Sequence, residues 1–315
     1  MTALVRPPAR PAPRLAALTG GLLALALVAS GCTRGVADPG SLPTPPASTS
    51  ASVESPYPTY VALGDSYTAA PLVPTTDTTN GCLRSDSNYP SLVAAAMPGT
   101  ELVDVSCSGA DSASLVGAQR TATDTQPPQF DALTPEVDLV TVGIGGNDFN
   151  LFGTLLGQCV VRGGAGAQPD EGCAAELDAA GRAKIDRQLR TITSYLTSIV
   201  TGIRDRSPEA TVVVVGYPQI VPATGTCPDL LPLAAEDYPF ARELNEKLAA
   251  AVKRGARAAD AAYVDVFRAS KGHDICSADP WINGQQSDLG GALAFHPFAA
   301  EQEAVAELVL AQLEA

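Results

Sequence analysis

The sequence predicts a three-layer α/β/α domain in which helices cover both faces of a central parallel sheet. Two observations lead to this prediction. The first is a set of short, continuous apolar runs, several of which end at a glycine, and the second is the presence of amphipathic helical stretches between those runs. Continuous apolar strands are typical of sheets that are buried on both faces. Alternation of strands with helices favours a parallel sheet.

Five apolar runs are interpreted as the strands of this sheet. The first, residues 60–63, leads into Gly64 and predicts a buried strand followed by a tight turn. Residues 212–215 are all valine and precede Gly216, so their β-branched side chains make this run the clearest strand. The other predicted strands are residues 102–105, 139–142 and 262–266.

Three stretches show helical periodicity. Apolar residues recur at steps of three and four over residues 185–203, which places them in one stripe along a helix, and residues 244–252 and 305–313 behave similarly. Two segments do not fit the alternation: a glycine-rich segment at 157–172 and a long loop at 267–292. Long ordered loops are often functional, so both are candidates for contributing to a site.

Residues 1–31 have the features of an export signal. Residues 1–14 contain three arginines and no acids, an apolar run follows at residues 15–28, and small residues lead up to Cys32. A basic start followed by a short apolar core is typical of a signal peptide. Cleavage before Cys32, with lipid added to its thiol, is the bacterial lipoprotein pattern, and we predict such an anchor. Cleavage by the ordinary signal peptidase, which gives a freely secreted protein, is the alternative.

The segment that follows the signal is predicted to be a tether. Residues 32–58 are rich in Pro, Ser and Thr and have few large apolar residues, so they cannot offset their chain entropy by burial. A glycosylated stalk is the other interpretation. Residues 59–315 are predicted to form the single folded domain. The formal charge is −14, and it becomes −17 once residues 1–31 are removed. This acidic balance argues against nucleic acid as a partner and limits membrane contact to the predicted anchor.

Six cysteines follow Cys32. An even number of cysteines in an exported chain indicates three disulfides, for which fifteen connectivities are open on sequence alone. No Cys-x-x-Cys pair or histidine-rich cluster accompanies them, so zinc is disfavoured and we expect neither a metal nor a cofactor. The six residues are Cys82, Cys107, Cys159, Cys173, Cys227 and Cys276.

Four small or reactive residues lie where the predicted strands end or just before the last helix. Ser66, Gly109 and Asn147 follow the first, second and third strands, and His296 precedes the final helix. Because the carboxyl ends of parallel strands meet at one edge of a sheet, we expect these residues to converge in one cleft. Taken alone, the Gly64-Asp65-Ser66 triplet favours a serine that caps a helix. The other three motifs favour a reactive serine.

Together, these motifs closely resemble those of the SGNH hydrolases, also called the GDSL family of esterases and lipases. The segments YVALGDSYTAAPLVP, CLRSDSNYPSLVA and VGIGGNDF are similar, more narrowly, to the disulfide-containing secreted esterases and lipases of streptomycetes and related actinobacteria. The resemblance spans residues 60–313 and implies the flavodoxin-like form of the three-layer fold. It also implies sequential disulfides, which here are Cys82–Cys107, Cys159–Cys173 and Cys227–Cys276.

The resemblance assigns roles to the four residues. Ser66 matches the nucleophile and His296 the base, and neutral imidazole can accept a serine proton near neutral pH. The backbone N–H groups of Ser66 and Gly109 and the side-chain amide of Asn147 match the donors of an oxyanion hole, each worth roughly 10²–10³ in rate. The other histidine, His273, is interpreted as a loop residue.

The third triad position departs from the family pattern. That pattern commonly has an acid three residues before the histidine, but Leu293 stands there. In the resembled subgroup a main-chain carbonyl orients the histidine, and we predict that the carbonyl of Leu293 does so here, which makes the site a Ser66–His296 dyad. The acids Asp274, Asp279 and Asp288 in the same loop are the alternatives.

Four neighbouring residues have structural interpretations. Asp65 and Asp148 are expected to accept hydrogen bonds from nearby backbone. Tyr67 and Trp281 suit an acyl-binding pocket and core packing equally well.

The predicted function is hydrolysis of carboxylic esters through an acyl-Ser66 intermediate, by an exported monomer that acts on a lipid or a small-molecule ester. One alternative keeps the site but makes the substrate an acetylated polysaccharide, and the other is an inactive surface-binding lipoprotein. The fold does not decide among them. Four intact motifs argue against the inactive protein. Activity on esters of increasing acyl length distinguishes the two enzymes.

Overall fold

The computed structural model of the chain describes residues 55–154, 173–174 and 177–315. The predicted signal peptide, the lipidation site at Cys32, most of the predicted tether and Cys159 lie outside these residues. Within the described residues, no helix is both long enough and apolar enough to span a bilayer.

A parallel five-stranded sheet forms the centre of the domain, as the apolar runs predict. The strands are β1 (Thr59–Gly64), β2 (Glu101–Asp104), β3 (Gln119–Arg120), β4 (Thr125–Gln126), β5 (Leu139–Gly143), β6 (Thr211–Val215) and β7 (Ala262–Val264). The sheet has the order β2-β1-β5-β6-β7, and β3 and β4 pair separately as a short antiparallel hairpin.

The strand register aligns the carboxyl ends of the central strands. Gly64 at the end of β1 pairs with Gly143 at the end of β5, and Val142 pairs with Val214 in β6. Because all neighbouring strands of this sheet are parallel, the loops that follow them leave from one edge. Ligands of open α/β sheets bind at this edge.

Helices cover both faces of the sheet. They are α1 (Ser66–Ala69), α2 (Tyr89–Ala96), α3 (Ala179–Arg204), α4 (Tyr238–Ala258), α5 (Val266–Ala269) and α6 (Ala299–Leu313). Alternate residues of β1 face opposite layers: Val61 packs in the cluster formed with α3 and α4, and Tyr60 packs in the cluster formed with α2 and α6. The predicted stripe of α3 is buried, with Ile192 and Leu196 fully enclosed. The predicted three-layer α/β/α fold is confirmed.

Two strands differ from their predictions. β2 lies at the edge of the sheet, where its alternate residues are exposed and Val103 is 37% exposed, so this strand is not covered on both faces. β7 ends at Val264, two residues early, because Asp265 caps α5 instead of continuing the strand. Its carboxylate accepts a hydrogen bond from the Arg268 N–H at 3.1 Å.

Two predicted disulfides are present, Cys82–Cys107 and Cys227–Cys276. Cys173 is also disulfide-bonded, but the partner predicted for it, Cys159, lies outside the described residues. Each bridge of this kind typically stabilises a domain by about 2–4 kcal/mol.

Candidate active site

Ser66 is the first residue of α1 and lies two residues after the end of β1. The cap of this helix is Asp65, whose carboxylate accepts a hydrogen bond from the Tyr67 N–H at 2.9 Å. Ser66 is therefore not the capping residue, and its hydroxyl is available for other contacts. The expectation that Asp65 bonds to nearby backbone is confirmed.

The turn into α1 has no room for a side chain at Gly64. A Cβ there would lie 2.2 Å from Thr68 Oγ1 and 2.9 Å from the carbonyl oxygen of Gly143. The side-chain amide of Gln129 holds the same peptide unit, because its Oε1 accepts the Gly64 N–H at 2.8 Å and its Nε2 donates to the Gly64 carbonyl at 2.9 Å. The position of Ser66 is thus fixed by steric contact and by a buried amide.

His296 lies beside Ser66. The distance between His296 Nε2 and Ser66 Oγ is 2.9 Å, although the two residues are 230 positions apart in the chain. The Tyr67 ring packs against the imidazole at 5.5 Å between centroids, and the Tyr67 hydroxyl donates to the Phe295 carbonyl at 2.8 Å. Tyr67 is therefore a buried packing residue that supports the histidine, and not an exposed wall of a pocket.

The prediction that the Leu293 carbonyl orients the histidine is wrong. His296 Nδ1 lies 2.7 Å from the carbonyl oxygen of Ala294, whereas the Leu293 carbonyl accepts the backbone N–H of His296 at 3.1 Å. The reason is a tight turn at Phe295, whose φ of +60° closes the backbone bond to Leu293 and turns the next carbonyl towards the ring. The orienting group is still a main-chain carbonyl, but it is one residue further along.

The alternative acids do not reach the imidazole. Asp274 accepts the N–H of Cys276 at 2.9 Å, and Asp279 lies 3.5 Å from the other histidine, His273. Trp281 stacks on the His273 ring, which confirms His273 as a packed loop residue. In the part of the chain that the structure describes, no carboxylate contacts His296.

The contact with Ala294 assigns the tautomer of His296. A carbonyl oxygen can only accept, so Nδ1 carries the proton and Nε2 presents its lone pair to the Ser66 hydroxyl. Burial lowers the pKa of His296 below its ordinary value, and the hydrogen bond to Ala294 opposes this shift. The imidazole is therefore neutral at neutral pH, as a base requires.

The three predicted oxyanion donors are the N–H groups of Ser66 and Gly109 and the side-chain amide of Asn147. Within the described residues, neither the Ser66 N–H nor the Gly109 N–H donates a hydrogen bond. Gly109 has a φ of +79°, which suits glycine. Asn147 Nδ2 donates to the Ala110 carbonyl at 2.8 Å, which uses one of its two N–H bonds and leaves the other.

A buried tyrosine that the sequence reasoning missed joins two parts of the site. The Tyr217 hydroxyl donates to the Asp65 carboxylate and accepts the Gly146 N–H at 2.8 Å. It therefore links the serine turn to the loop that carries Asn147. Burial raises the pKa of Asp65 to about 7, while the hydrogen bond from Tyr217 lowers it. The only available signal was that Tyr217 follows β6 at the same edge of the sheet.

Asp148 fixes the Asn147 loop from its other side. Its carboxylate accepts the N–H of Ser112 at 2.7 Å and the Ser112 hydroxyl at 2.6 Å. Burial raises the pKa of Asp148, and the two hydrogen bonds from Ser112 oppose this shift. The prediction that Asp148 has a structural role is confirmed, because it ties the segment after β2 to the segment after β5.

The fold and the site place the protein among the α/β ester hydrolases. The chain belongs to the GDSL-like lipase/acylhydrolase family, whose family model matches residues 62–304.

Individual relatives within this family come from Streptomyces. The chain is 39% identical to Lipase 2 of Streptomyces coelicolor over 226 residues, which cover 70% of this chain and 73% of the relative. It is 32% identical to a lipase of Streptomyces rimosus over 76% of this chain and 81% of that protein. Two solved structures have a similar fold: phospholipase A1 of Streptomyces albidoflavus, with a TM-score of 0.65 and 27% identity, and the extracellular lipase of S. rimosus, with a TM-score of 0.63 and 26% identity. Each match covers 81% of this chain, and 98% and 99% of the respective structures.

Proposed function

We propose that this protein is an exported hydrolase that cleaves carboxylic esters through an acyl intermediate on Ser66, with His296 as the base. The observation that carries the proposal is the 2.9 Å contact between His296 Nε2 and Ser66 Oγ, with the far side of the ring held by a carbonyl. A base oriented by a third group and within reach of a hydroxyl is the arrangement that nucleophilic catalysis needs.

The reaction follows from these contacts in two halves. Ser66 Oγ attacks the ester carbonyl while its proton passes to His296 Nε2. The bond to the alcohol then breaks, and the same proton passes to the leaving oxygen, which leaves an acyl-Ser66 ester. Water next gives a proton to His296 and attacks the acyl carbon. The Ser66 ester bond breaks, the proton returns to Oγ, and the carboxylic acid is released.

The negative charge that develops on the substrate oxygen has three candidate donors, the N–H groups of Ser66 and Gly109 and the amide of Asn147. Each donor belongs to a segment that hydrogen bonds within the protein hold in place, so the donors are already oriented when the charge forms. Such preorganised donors are each worth roughly 10²–10³ in rate. His296 has a neutral carbonyl partner, which stabilises the imidazolium less than a carboxylate does. The oxyanion donors therefore carry a larger share of the catalysis.

Export is proposed from the predicted signal peptide together with the disulfides, which form in oxidising compartments. We place a lipid on Cys32 after cleavage. A Cys32→Ser variant should then appear in the culture medium instead of the membrane fraction. If the wild type and the variant were both found in the culture medium, the proposal of export would stand and the proposal of a lipid anchor would be wrong.

Labelling by a fluorophosphonate and turnover of p-nitrophenyl esters from acetyl to palmitoyl test the proposed activity. We expect one label per chain on Ser66, and no label and no turnover in Ser66→Ala. Ser194→Ala, on the outer face of α3, is the matched control and should behave as wild type. An unlabelled, inactive wild type would contradict the proposal. Turnover of the acetyl ester alone, together with acetate release from acetylated xylan, would reassign the substrate to polysaccharide.

A further inference from the structure

An apolar groove lies between α3 and the 3₁₀ turn at Ser112–Leu115. Its volume is about 320 Å³, its walls include Val116, Phe130, Tyr195 and Ile199, and none of the described residues that line it is charged. Val116 is 65% exposed and Tyr195 is 41% exposed. Exposed apolar side chains gathered at one concave place indicate a binding site, and this volume is at the lower end of ligand pockets.

Phe149 extends the apolar surface of this groove. It is 42% exposed, and its ring stacks on Tyr195 at 6.1 Å between centroids. Its φ is +56°, which is strained for a bulky side chain, and the next residue, Asn150, has a φ of +57°. The Asn150 N–H closes this turn on the Asn147 carbonyl at 2.9 Å. A strained backbone that displays an aromatic ring to solvent, two residues after a proposed oxyanion donor, points to a functional role for that ring.

The groove is continuous with the proposed oxyanion loops. Ser112 belongs to the groove wall, and both its N–H and its hydroxyl bind Asp148, the residue between Asn147 and Phe149. In the same segment, the side-chain amide of Asn147 donates to the Ala110 carbonyl. The loops that would hold the substrate oxygen therefore lead directly into the two walls of the groove.

We propose that this groove binds the acyl chain of the ester substrate, with the stacked pair Phe149–Tyr195 as its specificity-determining residues. This inference rests on the proposed function and assigns the substrate class as esters of medium-chain or longer fatty acids. An uncharged chain suits this groove, because its described walls offer apolar contact and have the hydroxyls of Ser112, Ser198 and Tyr195 as their polar side-chain groups. Each methylene buried in such a groove should raise kcat/KM about fourfold.

The test compares kcat/KM on monomeric p-nitrophenyl acetate and p-nitrophenyl octanoate. Phe149→Asn is a suitable variant because asparagine tolerates the left-handed backbone while removing the ring, and Tyr195→Ala keeps the helix. We expect kcat/KM of both variants to stay within about twofold of wild type on the acetate. On the octanoate, kcat/KM should fall about tenfold, because each variant would lose contact with one to two methylenes of the chain. Leu230→Ala, an equally exposed residue in the loops beside His296, is the matched control and should change neither rate.

Several outcomes would overturn the assignment. Equal losses on both esters would mean that Phe149 and Tyr195 support the fold or the oxyanion loop, and a loss confined to Leu230→Ala would move the acyl chain to the histidine side. Unchanged kinetics with weakened binding to phosphatidylcholine vesicles would make the patch a lipid-surface contact instead.

A binding measurement separates this inference from the proposed function. In calorimetry with the Ser66→Ala protein and p-nitrophenyl octanoate, we expect Phe149→Asn to weaken binding about tenfold, whatever the catalytic rate. Unchanged affinity would contradict the groove. Absence of turnover and of Ser66 labelling in the wild type would contradict the proposed function alone.

Discussion

Ser66 and His296 meet at 2.9 Å, but the two sides of this contact are held in different ways. On the serine side, the turn is fixed by side chains that are fully buried, including the carboxyl of Asp65, the hydroxyl of Tyr217 and the amide of Gln129. On the histidine side, His296 is half-buried as a residue, and its ring is held by the main-chain carbonyl of Ala294.

The loop before His296 also relies on main-chain contacts. Asn283 organises it, because its N–H donates to the His296 carbonyl at 2.9 Å and its side-chain amide donates to the Ala292 carbonyl at 2.9 Å. The comparison shows that the buried acid supports the nucleophile and not the base. A carbonyl is enough to set the tautomer of an imidazole whose pKa is already lowered by burial.

The largest effect that would test this comparison is the loss of the base itself. His296→Gln should lower kcat by about 10⁴–10⁶-fold, because, among the described residues, His296 is the only side chain that contacts the Ser66 hydroxyl. His273→Gln, which changes the other histidine of the chain, should leave kcat within about twofold. Steady-state kinetics on a p-nitrophenyl ester measures both. Comparable losses in the two variants would show that the effect is structural.

Removal of a proposed oxyanion donor should have the next largest effect. We expect Asn147→Ala to lower kcat by about 10²–10³-fold with little change in KM, because the donor acts on charge that forms in the transition state. Asn147→Asp, which has a similar shape but no N–H, should be at least as slow. Wild-type kcat in both variants would remove Asn147 from the oxyanion hole.

Tyr217→Phe tests the link between the serine turn and the Asn147 loop. It leaves the Gly146 N–H and one Asp65 oxygen without their partner, so unfolding free energy should fall by about 1–3 kcal/mol. A displaced loop should lower kcat by about tenfold to 10²-fold while KM stays close to wild type. The matched control is Tyr263→Phe. In the wild type, the Tyr263 hydroxyl has no hydrogen-bond partner within the described residues. The control variant should change neither quantity. A stability loss with unchanged kcat would make Tyr217 a purely structural residue.

Buried acids on the serine side should make stability depend on pH. Glu301 in the first turn of α6 is 3% exposed. Burial raises the pKa of Glu301 to about 8, and the hydrogen bond that Gln302 donates to its carboxylate opposes this shift. The folded protein therefore keeps a proton that the unfolded chain releases above the ordinary glutamate pKa. Stability then falls as pH rises towards 8, by up to about 1.4 kcal/mol per unit. The raised pKa of Asp65 should make stability fall with pH in the same way, up to about pH 7.

Urea unfolding at pH 5 to 9 measures this slope. Glu301→Gln should flatten the curve and raise stability at pH 8, because the neutral amide needs no proton there. The neighbouring Glu303→Gln changes an exposed acid and should leave the slope as it is. A wild-type curve that rises between pH 6 and 8 would contradict the assignment of buried, protonated acids.

The smallest expected effect concerns the acid limb of the activity profile. Burial lowers the pKa of His296, so the imidazole stays neutral and active below the ordinary histidine value of about 6.5. The inflection in kcat/KM against pH should fall below that value. An inflection above pH 7 would indicate a carboxylate partner for His296, which would remove the contrast between the two sides.

Strands and helices were predictable from sequence because they bury long, regular apolar patterns, such as the stripe of α3 and the valines of β6. The edge position of β2 was not, because it depends on which strands become neighbours. The four motif residues were identifiable because each lies within a few residues of the end of a strand or the start of a helix. Tyr217 was missed because its partner, Asp65, lies 152 positions away. The choice between Leu293 and Ala294 depended on the backbone of Phe295, a conformation that few phenylalanines adopt.

The disulfide between Cys82 and Cys107 has a consequence for where the enzyme can work. Cys107 lies two residues before Gly109, its N–H donates to the Gly64 carbonyl at 3.0 Å, and the N–H of Ser108 donates to the carbonyl of Cys82 at 2.9 Å. The covalent bond thus ties the segment after α1 to the loop of the proposed Gly109 donor, and the hydrogen bond from Cys107 joins the same loop to the end of β1. A newly made chain in a reducing cytosol would lack this disulfide, so we expect full hydrolytic activity only after the protein reaches an oxidising compartment outside the cytosol.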